Sequence, residues 1–142
     1  MSNDDACPRG YHRQLGRISR ARLEIEDHGI LTVHLAFAFG GTCQSLSSPA
    51  LDAFDPARDR RVGTAGGLDF VLRLLAVFGA RHLGELEGRS AYALRKGTEW
   101  GASVTGVQAP EFDGGRALTL DDWRTEWRAE FEACAARMER RT

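Results

Sequence analysis

Between Leu31 and Phe39 every second residue is apolar: Leu31, Val33, Leu35, Phe37 and Phe39 alternate with Thr32, His34, Ala36 and Ala38. Successive side chains of a strand point to opposite faces, so this period of two marks a strand with one buried face. A second alternation precedes it, with Ile18, Ala21, Leu23 and Ile25 set against Arg20, Arg22, Glu24 and Glu26, and a slip in phase near Ser19. Asp27-His28-Gly29 separates the two stretches. Glycine accepts positive φ and aspartate bonds the backbone beyond it, so the three residues read as a turn. The pattern commits the chain to an antiparallel hairpin whose apolar face needs a cover.

Two helical stripes supply that cover. Val62–Gly79 opens with a glycine-rich approach through Thr64, and places Leu68, Val71, Leu72, Leu75 and Phe78 at helical spacing before Gly79. A residue without Cβ takes the left-handed turn that ends a helix, so a helix over 65–78 is expected. The second stripe, Leu120, Trp123, Trp127, Phe131, Cys134 and Met138, predicts one helix over 119–139. Thr119 caps it with Asp122 in a capping-box position, and Arg137, Arg140 and Arg141 suit its C-terminal dipole. A short strand over Ala50–Phe54, a charged turn over 55–61, one helical turn at Leu83–Leu86, strands at Ser90–Leu94 and Ser103–Val107, and a loop over 109–118 complete the reading. The expected fold is α+β, a single domain over 18–142 in which an antiparallel sheet packs against two amphipathic helices. Residues 1–17 read as a flexible basic arm.

The 142 residues suffice for one core, with about two-thirds of the unfolded chain's surface buried. The formal net charge of −1 gives no global field that steers toward nucleic acid or anionic membrane. Of 19 basic residues only Lys96 is lysine. Cys7, Cys43 and Cys134 are odd in number and widely spaced, without a zinc or disulfide pattern. The first residues lack the basic and apolar regions of a signal peptide, and no apolar run is long enough for a bilayer. A cytoplasmic protein without membrane association is expected.

Chemistry-bearing patterns are sparse. His12, His28, His34 and His82 have no ligand spacing, and Ser45, Ser47 and Ser48 lack a nucleophile-elbow context. Gly63–Gly67 ahead of a helix is suited to cradling a phosphate, but it lacks the P-loop lysine, and close helix packing is the commoner use of such glycines. No catalytic residue, metal or cofactor is expected. Charge is the remaining signal. Arg9, Arg13, Arg17, Arg20 and Arg22 run through residues 9–22 without an acid, interleaved with Tyr11 and His12. Such a run suits nucleic acid, or else solubilises an edge strand. Asp122, Glu126 and Glu130 recur at i, i+4, preceded by Glu111 and Asp113. That ridge is a solvated helix face or a docking surface for a basic partner.

Several phrases carry a resemblance. Ile25–Ile30 leads into a strand, Phe39-Gly40-Gly41 precedes Gln44, Leu51-Asp52 follows, and Arg61–Ala65 opens a helix. Phe78-Gly79, Gly84–Gly88 and Trp123 come later in the same order. Over roughly residues 18–110 the chain resembles small proteins carried by phages, prophages and other mobile elements, a class that includes anti-CRISPR inhibitors. Ser47-Ser48-Pro49 departs from the stretch that follows the glutamine in that class. The resemblance implies a stoichiometric inhibitor that binds a bacterial defence complex of the CRISPR-Cas type, which handles nucleic acid, and blocks it without catalysis. The candidate contacts are then Glu111, Asp113, Asp122, Glu126 and Glu130, the arginines Arg9, Arg13 and Arg17, and Gln44. The alternatives are a single-stranded nucleic-acid or guide-RNA binder using the N-terminal arginines, and a small enzyme.

Overall fold

A computed structural model describes residues 7–99 and 101–141. The expected hairpin is its centre: β1 (His12–Ile25) pairs antiparallel with β2 (Leu31–Ala38). The anticipated slip is a bulge, because the register shifts between Ile18 and Arg20. A bulge adds one residue to one strand and so reverses the phase of its side chains. Ile18 before it and Ala21 after it therefore both face the core.

The strand order is β3-β2-β1-β6-β7-β8, with β3 (Cys43–Ser45), β6 (Ser90–Arg95), β7 (Gly106–Gln108) and β8 (Ala117–Thr119), all neighbours antiparallel. β4 (Asp52–Asp55) and β5 (Arg60–Gly63) form a separate two-stranded ribbon. Part of the expected charged turn is thus strand, held by Arg61, whose guanidinium donates to both carboxylate oxygens of Asp52 at 2.8 and 2.9 Å. β1 starts at His12, six residues before the expected boundary of the arm, and residues 12–17 pair with β6. The alternation there was hidden because Gly16 takes a core-side position. A Cβ on Gly16 would sit 2.7 Å from the Phe39 ring, so only glycine lets that ring lie across β1. The expectations for residues 1–6 lie outside the described residues.

One face of the sheet is covered. α1 (Ala65–Phe78) starts at Thr64, whose hydroxyl accepts from Gly67 N–H, and ends at Gly79 with φ 61°. The buried face of α1 matches the expected stripe at Phe78, with Val71 and Leu75 half-buried, but not at Leu68 and Leu72. Gly66, Gly67, Phe70, Leu74, Val77 and Phe78 face inward, while Leu68 and Leu72 are 64% and 58% exposed. The helix is apolar nearly all round, so periodicity alone left its orientation open. The glycines decide it: a Cβ on Gly67 would lie 2.1 Å from the Leu51 carbonyl oxygen, which brings this turn of helix hard against the chain before β4.

The expected C-terminal helix is two, α2 (Leu120–Glu126) and α3 (Arg128–Arg141), meeting at Trp127, whose backbone leaves helical geometry at φ −102° and ψ 13°. Thr119 caps α2 through Asp122 N–H as expected. Trp123 is fully buried, with Phe70 edge-on at 5.4 Å and Phe131 tilted at 5.0 Å. Trp127 and Phe131 are half-buried, and the stripe fades into solvent at Met138. The whole is one compact α+β domain.

Candidate functional site

Two acidic residues of the C-terminal helices, Glu126 and Glu130, reach across to α1. Glu130 Oε1 accepts from Gly66 N–H at 2.8 Å, at the first turn of α1. Trp123 Nε1 donates to Gly66 O at 2.7 Å and Trp127 Nε1 to Asp69 Oδ2 at 2.9 Å. The glycine-rich turn that suited a phosphate is therefore filled by the chain's own carboxylate, which satisfies the same unpaired N–H and the same helix dipole. Glu126 pairs with Arg73 at 2.9 Å. Asp122 is exposed, and Asp113 lies in a 3-10 turn over Glu111–Asp113. The structure does not bring the five acids together as one outward ridge.

Arginine and acid meet where the sequence treated them as separate surfaces. Arg13 donates to Glu111 at 2.9 Å and its guanidinium lies 4.1 Å over the Tyr92 ring, leaving its side chain only 9% exposed. A backbone hydrogen bond at Glu111 and then Arg13 hold that carboxyl below its ordinary pKa. Lys96 pairs with Asp121 beside Tyr11. These contacts close one end of the sheet's outer face.

The rest of that face is open, and β1 runs through its middle. Arg17, Arg20 and Arg22 point outward from it, because the bulge that sends Ile18 and Ala21 inward sends Arg17 and Arg20 to the opposite side together. Across β2 they face Ala38, Ala36 and His34. Small neighbours leave the guanidiniums in solvent. Arg22 contacts Glu24 at 3.3 Å, whereas Arg17 and Arg20 have no ion-pair partner among the described residues. Leu15, 56% exposed, lies beside them, opposite Tyr92. Arg9 is exposed in the turn before β1. The sequence places Arg17, Arg20 and Arg22 in one basic run, of which only Arg17 was among the inhibitor's candidate contacts; the bulge at Ser19 puts all three on one face.

Glu24, His34 and Ser45 lie side by side on the same face, with His34 Nδ1 3.5 Å from Glu24 Oε1 and Nε2 3.2 Å from Ser45 Oγ. That is the order of a catalytic relay. Nδ1 nevertheless makes no hydrogen bond, and Ser45 sits exposed on the sheet surface. The three side chains form a polar ladder across strands.

Gln44 is half-buried on the core side of β3, tied to Arg95 and to Ala102 O. Among the described residues no three His, Cys, Asp or Glu converge as a metal site, and no helix is long and apolar enough to cross a membrane. No protein-family model, curated protein or solved structure matches the chain.

Proposed function

We propose that the protein is a binding module, without catalysis, that holds single-stranded nucleic acid along the open face of its sheet. One observation carries this reading. Arg17 and Arg20 project from a central strand, have no acidic partner among the described residues, and face alanines. β1 is the third of six strands and Arg17 lies between β2 and β6, so edge protection does not explain Arg17, whereas from Arg20 onward β1 pairs with β2 alone. From Arg17 to Arg22 the cations extend for about 15 Å, at strand rise. Leu15 and the guanidinium planes beside them suit unstacked bases, which pack on apolar and planar groups while cations track the backbone. The net charge of −1 confines the attraction to this face.

The inhibitor reading implied by the resemblance rests on an acidic docking ridge, and two of its members, Glu126 and Glu130, support α1. Glu111 pairs with Arg13 and Gln44 with Arg95, which leaves Asp122, Asp113, Arg9 and Arg17 as candidate contacts. Anisotropy of a labelled single-stranded oligonucleotide separates the readings. Saturable binding at low salt, weakened at least tenfold by Arg17→Ala with Arg20→Ala, is the expected result. No binding by the wild-type protein, with capture of a bacterial nucleic-acid-handling complex that Asp122→Arg abolishes, would replace it with the inhibitor.

A further inference from the structure

Among the described residues, Arg95 is the one guanidinium of this sheet that is tied only to neutral groups. Its Nε donates to Ala102 O at 3.2 Å, and its terminal nitrogens donate to Gln14 Oε1 at 2.8 Å and Gln44 Oε1 at 2.6 Å. The Phe39 ring lies 5.3 Å from its central carbon. Arginine carries five N–H donors in a planar fork. Three are used, and two have no partner among the described residues. Burial lowers the pKa of Arg95 from its ordinary value.

The fork lies in a cleft of about 590 Å³, on the core side of the sheet where the helices stop short and Gln14 is exposed. That volume is within the range of small-molecule sites. Phe39, held flat by Gly16 and stacked on Phe37 at 6.0 Å, gives the cleft an apolar wall. Glu99 also lines the cleft but makes no ion pair with Arg95. A fixed, partly desolvated guanidinium with two free N–H groups matches a carboxylate or phosphate monoester, which takes parallel hydrogen bonds from such a fork.

We infer that this cleft binds the anionic group of a small ligand, carboxylate or phosphate monoester, on Arg95, with a flat apolar part of the ligand against Phe39. The site lies on the opposite face from the open arginines and does not depend on the nucleic-acid reading. Titration calorimetry with benzoate, 5′-AMP and inorganic phosphate tests it. One of the two organic anions should bind saturably at one site per chain, and binding should weaken at least tenfold in Arg95→Gln. Benzoate alone would assign a carboxylate ligand; 5′-AMP with weaker inorganic phosphate would assign a phosphate monoester. Because Arg95→Gln also removes three structural hydrogen bonds, Thr42→Glu is the second variant. Thr42 is exposed and lines the cleft, so a carboxylate there should repel the anion while Thr42→Gln leaves binding unchanged. Arg17→Ala with Arg20→Ala should bind these probes as the wild type does. No saturable binding of any probe, or wild-type binding in both Arg95→Gln and Thr42→Glu, would overturn the inference.

Discussion

The acids of α2 and α3 and the arginines of β1 are two charged regions of this chain that the fold uses in opposite ways. Glu126 and Glu130 reach across to α1, one to Arg73 and one to the N–H of Gly66. Arg17 and Arg20 reach nothing within the described residues. In sequence one is a set of acids recurring at i, i+4 and the other a run of arginines without an acid. What separates them is topology: a carboxylate beside a helix N-terminus finds unpaired N–H donors, whereas a guanidinium above alanines on a central strand finds only solvent. Charge with an internal partner belongs to stability. Charge without one is available to something outside the molecule.

The contrast breaks first at the junction of α1 with α2. Trp123→Ala removes a buried indole and its bond to Gly66 O, and should cost about 3–5 kcal/mol in urea denaturation. Trp127→Ala and Phe131→Ala should cost less, since both side chains are half-buried. Gly67→Ala forces a methyl against the Leu51 carbonyl and should cost about 3 kcal/mol. A neutral result there would mean that α1 does not press on this segment. Glu130→Gln keeps the shape and removes the charge at the helix start, for an expected loss of about 1 kcal/mol.

A smaller effect is tied to pH. Arg61 and the Leu31 N–H hold the Asp52 carboxyl below its ordinary pKa. A depressed carboxylate contributes stability that is present above its unfolded-state value and lost as pH falls through its folded-state value. The stability gap between wild type and Asp52→Asn should therefore hold at neutral pH and close below about pH 4. Arg17→Ala with Arg20→Ala should change stability by about 0.5 kcal/mol or less, because neither side chain has an internal partner.

The hairpin, its bulge, the Thr119 cap and the Gly79 stop were legible because each is a local event: a period, a hydroxyl before a helix, a glycine after one. Strand residues 12–17 were not, because Gly16 replaces an apolar residue with a gap that Phe39, just beyond the end of β2, fills. The buried face of α1 was misread because Leu68 and Leu72 are as apolar as Phe70 and Leu74, and a distant carbonyl decides between them. The break at Trp127 left the helical spacing of the stripe nearly unchanged. For the site, the arginines were visible and their common face followed from the slip at Ser19, whereas the internal partners of the acids come from α1 and are invisible to any local pattern.

In the proposed function, arginine without an internal partner, and not acid, forms the binding surface. The most direct measurement is the salt dependence of single-stranded oligonucleotide binding for the wild type, for Arg17→Ala with Arg20→Ala, and for Glu126→Gln. Each phosphate contact on a single strand contributes about 0.7 to the slope of log K against log salt. The account predicts a slope about 1.4 smaller in magnitude for the double arginine variant, at unchanged stability, and a wild-type slope for Glu126→Gln. Equal slopes in the wild type and the double arginine variant would contradict it.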